Sequence, residues 1–333
     1  VEKTGGEGGE KMRVSIIVAQ LLALIGVAPA FAQSDRYPSK PIRWVVPFAA
    51  GGGTDVVVRP LALMLGEALG QAILYDNRGG GGGVIAGEIV AKSAADGYTM
   101  LVANPAVMTI NPSLLKMPFD PLKDFAAVTR FATTPNVLGA HPSFTARTVQ
   151  ELVEYAKANP GKINWASSGT GSAGHLAMEL FRIKAGIKVV HVPYKGAGPA
   201  LVGLLGGNVD VLFAIPGVFM PHLKSGRLRA IAIGSLQRIA ILPEVPTISE
   251  SGYPGLEAGS WYGIVVPAGT PVRIVRFMHA ACVKVLQSPD AIARLAADGA
   301  TPVGNTPEQF ARQLRDETAM WAKVIKEARI TLE

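Results

Sequence analysis

The chain has 333 residues, a formal net charge of +7 and one cysteine, Cys282. Its basic residues are scattered, with no Lys/Arg run and no aromatic–basic interleaving, which argues against a nucleic-acid surface; a modest positive balance suits a small anionic ligand. A single cysteine excludes an intramolecular disulfide, and Cys282 shares an apolar helical pattern with Ile274, Phe277, Met278, Ala281 and Val285, so it reads as a buried structural thiol.

At the start of the chain, Lys11 and Arg13 precede an apolar run over 14–27 and then Ala28-Pro29-Ala30-Phe31-Ala32-Gln33. This is the pattern of a secretory signal peptide, cleaved after Ala32, with an upstream extension before Met12. The run is shorter than the ~20 apolar residues of a membrane span. No cysteine follows it to carry a lipid anchor, so the expectation is an exported, soluble protein. Residues 33–333 are too many for one small core and imply two domains.

The strand-like run 42–46 leads into Pro47-Phe48-Ala49-Ala50-Gly51-Gly52-Gly53-Thr54-Asp55 and a helix opening near Asp55. Glycines let bare backbone approach a ligand, and the first N–H groups of a helix lack intrahelical partners, so this order forms an anion cradle. A tight connection with glycines chosen for packing is the competing reading. Pro60 fits a first helical turn only if the helix begins nearer Val57. Further on, 73–75 reads as a strand, 84–94 as a helix stopped at Asp96-Gly97, and 99–103 as a strand. Strands alternating with helices at this spacing predict an α/β layer with a largely parallel sheet. The apolar stretch 125–140, broken by Pro135, is expected to cross to a second lobe. Thr148-Val149-Gln150-Glu151 is a capping box opening a helix that ends at Asn159-Pro160-Gly161.

A strand over 163–166 then meets Ser167-Ser168-Gly169-Thr170-Gly171-Ser172-Ala173-Gly174 and a helix over 175–185. Gly169, Gly171 and Gly174 fit a dinucleotide fingerprint, but the acidic residue expected about 20 positions on is missing, so the serines and amides read better as donors to a ligand. Residues 189–192 and Pro193-Tyr194-Lys195-Gly196-Ala197-Gly198-Pro199-Ala200 repeat the cradle, with a helix behind it. Strand, helix and strand follow over 209–214, 218–225 and 228–234. A turn at 252–255 precedes a returning strand over 261–266. Three helices end the chain, the last opened by the capping box Thr306-Pro307-Glu308-Gln309. Two crossings between lobes predict a hinged molecule holding an anion between two cradles.

Tyr37-Pro38-Ser39-Lys40-Pro41-Ile42, Val46-Pro47-Phe48 through Gly52, Asn77-Arg78, Asp96-Gly97-Tyr98-Thr99, Ile110-Asn111-Pro112, Ser167-Ser168-Gly169 and His191-Val192-Pro193-Tyr194-Lys195-Gly196 resemble one family along nearly the whole mature chain. Gly226-Arg227-Leu228-Arg229-Ala230, Val245-Pro246-Thr247 and Pro267-Ala268-Gly269-Thr270-Pro271 extend the likeness. It is the tripartite tricarboxylate transporter substrate-binding proteins, or Bug receptors. The resemblance implies a two-lobed type II periplasmic-binding-protein fold with a small carboxylate in the cleft. It also implies two integral membrane permease subunits as partners, a periplasmic address and no cofactor. Lobe 1 would comprise 33–137 and 256–333, and lobe 2 would comprise 138–255, in a monomer. Carried over by motif, the first-lobe ligand loop runs from Phe48 to Asp55, with Phe48, Ala49, Gly51, Gly52, Thr54 and Asp55 as contacts, and further contacts lie near 104–109, at Asn104 and Thr109. Lobe 2 would add the segment from Ser167 to Ser172, with Ser167, Ser168, Gly169 and Thr170 named within it, and Tyr194, Lys195, Gly196, Ala197, Gly198 and Pro199. Ala214 stands where the family commonly has Asp, and Ala103-Asn104-Pro105-Ala106-Val107 lacks the usual Ser/Thr/Gly-rich wording.

An enzyme is the competing class. There is no Gly-x-Ser-x-Gly elbow, no phosphate loop ending in Gly-Lys-Ser/Thr, and no metal-ligand spacing among His, Cys, Asp and Glu, so the expectation is a receptor rather than a hydrolase. A sensory carboxylate receptor uncoupled from transport shares the pattern. His191, inside an apolar strand beside the second cradle, stays open between structural and functional roles.

Overall fold

The structure is a computed structural model that describes residues 37–327 and Ile330. The chain divides into two units at Ser39/Lys40. Of the first, only residues 37–39 are described, and they form no helix or strand. The expected leader and its cleavage site lie outside the described residues.

From Lys40 onward the chain builds two sheets with helices packed on them. The first contains β1 (Ile42–Val46), β2 (Ile73–Asn77), β3 (Thr99–Ala103), β4 (Phe125–Pro135), β10 (Gly259–Pro267) and β11 (Thr301–Pro302), in the order β11-β4-β10-β3-β1-β2. The second contains β5 (Val137–Ala140), β6 (Asn164–Ser167), β7 (Val190–Pro193), β8 (Val211–Ala214) and β9 (Arg229–Ile233), ordered β7-β6-β8-β5-β9. Strands covered on both faces need near-continuous apolar runs, and β1 supplies one, with Ile42, Trp44, Val45 and Val46 all fully buried.

The expected largely parallel layer is parallel only in part. β2-β1-β3 and β7-β6-β8 run parallel, whereas β10 is antiparallel to β3 and β4, and β5 to β8 and β9. The reason is the crossing itself, because strands that carry the chain between sheets arrive from the opposite end. β4 and β5 are separated by Asn136 alone. At that point three passes of the chain are tied together. Asn136 N–H donates to the Ala258 carbonyl (2.7 Å), Gly234 N–H to the Asn136 carbonyl (2.8 Å), and Ala258 N–H to the Gly234 carbonyl (2.8 Å). A methyl on Gly234 would lie 2.5 Å from the Ala258 oxygen, so this rung admits no side chain there.

The helices are α1 (Gly53–Leu69), α2 (Val84–Ala91), α3 (Val149–Ala158), α4 (Ala173–Ala185), α5 (Ala197–Leu205), α6 (Pro216–Lys224), α7 (Val272–Leu286), α8 (Pro289–Ala297) and α9 (Pro307–Glu327). The expected capping box forms in full at the start of α9, and at the start of α3 only its N-cap half does. Thr148 accepts from Glu151 N–H (3.1 Å), although Glu151 reaches back to Arg147 N–H rather than to Thr148; Thr306 and Gln309 bond reciprocally at 2.9 and 3.2 Å. Because α1 opens at Gly53, Pro60 is interior and takes one hydrogen bond out of that helix. Cys282 is buried in α7, and burial pushes its thiol up to about 12. Separate apolar cores fill the two lobes, one around Trp165 and Phe181, the other around Trp261 and Phe310. A smaller cluster of Ile110, Leu176, Ile325 and Ile330 spans α4 and α9. Among the described residues, no helix is long and apolar enough to cross a membrane.

Candidate functional site

The two cradles face each other. A methyl built on Gly198 would lie 3.2 Å from the Ala50 carbonyl oxygen, one on Gly52 3.5 Å from Ala197 N, and one on Gly196 3.4 Å from the Ala49 Cβ. Loop meets loop at backbone distance, which glycine permits and larger residues obstruct. Behind this seam lies a cavity of about 60 Å³.

Four helices begin at its wall: α1 through Gly52, Gly53 and Thr54, α4 through Ser172, Ala173 and Gly174, α5 through Ala197, and α6 behind Ile215. No side chain caps α1, α5 or α6. Asp55, a natural candidate to do so, turns back instead: its carboxylate accepts from Gly51 N–H (3.0 Å), Arg59 (2.9 Å) and Asn77 (3.3 Å). Burial raises its pKa, but those three partners outweigh burial and hold it below the ordinary carboxylate range. Asp55 therefore braces the loop. Among the described residues lining the cavity, none is charged. The remaining wall is apolar at Phe48, Phe213, Ala214 and Ile215 and polar at Asn104, Asn136, Ser168, Ser260 and Tyr262.

Of the residues expected at the site, Phe48, Gly52, Thr54, Asn104, Ser168, Ala197 and Ala214 line this cavity. Ser168, Gly169, Thr170, Tyr194 and Lys195 line an adjoining hollow of about 370 Å³, which shares Phe48 and Ser168 with the first. Tyr194 lays its hydroxyl over α5, where a methyl on Gly203 would collide with it. Thr109 is fully buried, with its hydroxyl donating to the Pro105 carbonyl (3.1 Å), because residues 106–110 wind into a π-turn that carries it away from the wall. Ala49, Gly51, Gly196 and Gly198 form the seam between the loops rather than the cavity wall, and Pro199 is exposed.

Ser167 is also fully buried, and its Oγ lies 2.7 Å from His191 Nε2 and 3.1 Å from the Gly169 N–H that it accepts. A hydroxyl so enclosed fixes the loop and cannot reach a substrate. His175 Nδ1 accepts from Gly171 N–H (3.1 Å), which sets its neutral, Nε2-protonated form. The glycines of the apparent dinucleotide fingerprint are thus accounted for by packing: a methyl on Gly171 would strike Asn111, and one on Gly174 would lie 3.0 Å from the Phe213 carbonyl.

Gly53, Pro105 and Ser172 line the cavity from within the expected segments, whereas Asn136, Ile215, Ser260 and Tyr262 were not expected at the site. Ser172 had a local signal, an N-cap serine three residues before His175, whose N–H it accepts at 3.3 Å. Asn136, Ser260 and Tyr262 come from the crossing strands, where only the fold decides which face meets the cavity. A larger groove of about 900 Å³ runs between α4 and α9, but its walls are mainly apolar, with Trp261, Met320 and Trp321 around a half-buried Glu317. Adjacent residues on β10 divide the two spaces: Trp261 lines the groove and Tyr262 the cavity.

Residues 57–330 match the tripartite tricarboxylate transporter family receptor, TctC. The chain belongs to that family. It is 39% identical over 318 residues to protein BugT of Bordetella pertussis, covering 93% of this chain and 98% of that one. Among solved structures, a Rhodopseudomonas palustris protein with adipate is 36% identical with a TM-score of 0.86, covering 89% of this chain and 99% of its own. MatC of Rhodopseudomonas palustris with bound malate is 32% identical with a TM-score of 0.83, covering 87% and 100%. TctC-type members are solute-binding receptors of two-lobed α/β fold, and the chain is a receptor rather than an enzyme.

Proposed function

We propose that this TctC-type receptor is periplasmic, exported by a leader cleaved after Ala32. It captures a small di- or tricarboxylate, or a related organic acid, between lobe 1 (33–137 and 256–333) and lobe 2 (138–255). It then hands the acid, as a monomer, to two integral membrane permease subunits. One observation carries this reading: four helix N-termini, three of them uncapped by any side chain, converge on a cavity with no charged residue among its described lining. Such ends are built to be capped by an anion. Micromolar affinity needs about 8 kcal/mol. Charge-assisted hydrogen bonds of ~1.5–3 kcal/mol each and helix ends of ~0.3–2 kcal/mol each reach that sum with three or four donors. They do so before association costs of ~4 kcal/mol or more, so exclusion of water on closure must contribute. The acids named with the two solved relatives agree in chemistry. A carboxylate at one end of the acid meets the helix N-termini, and the acid's other end is enclosed by the wall of Asn104, Asn136, Ser260 and Tyr262 when the lobes close.

Calorimetric titration of the purified protein with succinate, malate, adipate and citrate tests the proposal. Micromolar binding of at least one is expected, with the acid recovered unchanged. No heat with any of the four, from protein that melts cooperatively, overturns it.

A further inference from the structure

Asn136 joins two features that usually lie apart. Its backbone is the middle of the three-way tie between the chain's passes, bonded to both Ala258 and Gly234. The residue also lines the cavity and is 4% exposed, and its buried Nδ2 has no partner among the described residues. Asn104, one residue past the end of β3, repeats the pattern on the same wall at 3% exposure. Its Oδ1 accepts from Val107 N–H (3.3 Å), which fixes which way the amide faces, and its Nδ2 likewise lacks a partner.

Buried amide donors are nearly always satisfied, and one left without an acceptor carries its full desolvation penalty. Two such donors on one wall of one cavity call for an acceptor that the protein itself does not supply. We infer that Asn136 and Asn104 are the specificity-determining pair of the carboxylate site, reading an oxygen acceptor on the bound acid, and that Asn136 couples that contact to lobe closure. This inference rests on the carboxylate reading above.

The coupling follows from the position of Asn136. With the lobes apart, water satisfies both amides. Closure around an acid that presents a second carboxylate or hydroxyl oxygen exchanges those waters for acceptors. Closure around an apolar chain end strips the same donors and returns nothing. Because Asn136 belongs to the rung about which the lobes turn, the penalty falls on the closing motion itself. A site built to hydrogen-bond an oxygen rejects an analogue lacking it far more strongly than an apolar pocket rejects a change of size.

The test titrates adipate against hexanoate and succinate against butyrate on the wild type, Asn136→Ala, Asn136→Asp and Asn104→Ala. Small-angle scattering reports compaction at saturating adipate and succinate, and melting curves establish folding. The wild type should favour the diacid at least 100-fold. In Asn136→Ala that preference should shrink tenfold or more, chiefly through lost diacid affinity, and compaction should weaken. Asn136→Asp keeps the shape but sets an acceptor against the acid, and should lose at least as much; Asn104→Ala should lose preference with compaction less affected. An unchanged diacid-to-monoacid ratio in the folded variants overturns the inference while leaving carboxylate binding intact. Failure of the wild type to bind either diacid sinks the carboxylate reading and this inference with it. Should Asn136→Ala not fold, the other two variants decide.

Discussion

His175 and His191 stack with ring centroids 4.1 Å apart and an interplanar angle of 19°. Each holds part of the Ser167–Gly174 loop, His175 through Gly171 N–H and His191 through the Ser167 hydroxyl. Burial, with the neighbouring His191 and Arg182 adding to it, pushes His175 down to about 3; burial also lowers His191, against an opposing pull from Glu179. Their work is structural, which settles the role left open for His191, and it has a pH signature. In the unfolded chain His175 takes up a proton near pH 6.5, whereas the folded chain refuses it until about pH 3. Between those values the unfolded state binds more protons, so stability falls as pH drops, by about 1.4 kcal/mol per pH unit for this one group. Urea denaturation at pH 6.5, 5.5 and 4.5 should show that slope. His175→Asn keeps an acceptor for Gly171 N–H but cannot titrate, and should remove about one proton's worth of it. An undiminished slope in that variant would assign the acid sensitivity elsewhere.

At the scale of elements, the two cradles meet along a seam of close backbone. Gly198→Val sets a branched side chain against the Ala50 carbonyl, and Gly52→Val sets one against the first turn of α5. Both variants are expected to melt within a few degrees of the wild type, since neither position lies in an apolar core, and to lose at least tenfold in affinity for the best diacid by calorimetry. Wild-type affinity in a folded Gly198→Val protein would refute the paired-cradle geometry. The cradles were legible in the sequence because each is a local pattern of strand, glycine loop and helix start, and the helix caps at Thr148 and Thr306 were legible for the same reason. The wall formed where the strands cross between sheets was not. Asn136, Ser260 and Tyr262 acquire their role from neighbours more than a hundred residues away in sequence, and alternation along a strand does not say which face meets the cavity. Thr109 and Tyr194 failed to reach the inner wall for a related reason: a π-turn and a helix-facing rotamer leave no mark in residue type.

For the whole molecule, the ligand is selected as much by what the closed site lacks as by what it offers. The net charge of +7 stays out of the inner cavity, whose described wall presents amides, hydroxyls and helix ends. A carboxylate is well served there. An ammonium group needs an acceptor, and a buried charge left without one costs several kcal/mol. Ala214, where the family resemblance implies Asp, lines the cavity at 4% exposure between Phe213 and Ile215, and it pairs with Val137 across the sheet. The other acid nearby on the chain, Asp210, already accepts from Asn164 N–H at 2.7 Å. The cavity wall at position 214 thus presents a methyl and no acceptor. The expected ligand is a di- or hydroxydicarboxylate without a protonated amine. Calorimetry with succinate against aspartate, and glutarate against glutamate, should show the amine-free acid binding at least tenfold more tightly in each pair. Ala214→Asp should narrow or reverse that ratio, because its carboxylate would meet the ammonium and repel the diacid. Tighter binding of the amino acid by the wild type in both pairs would overturn this account of selectivity.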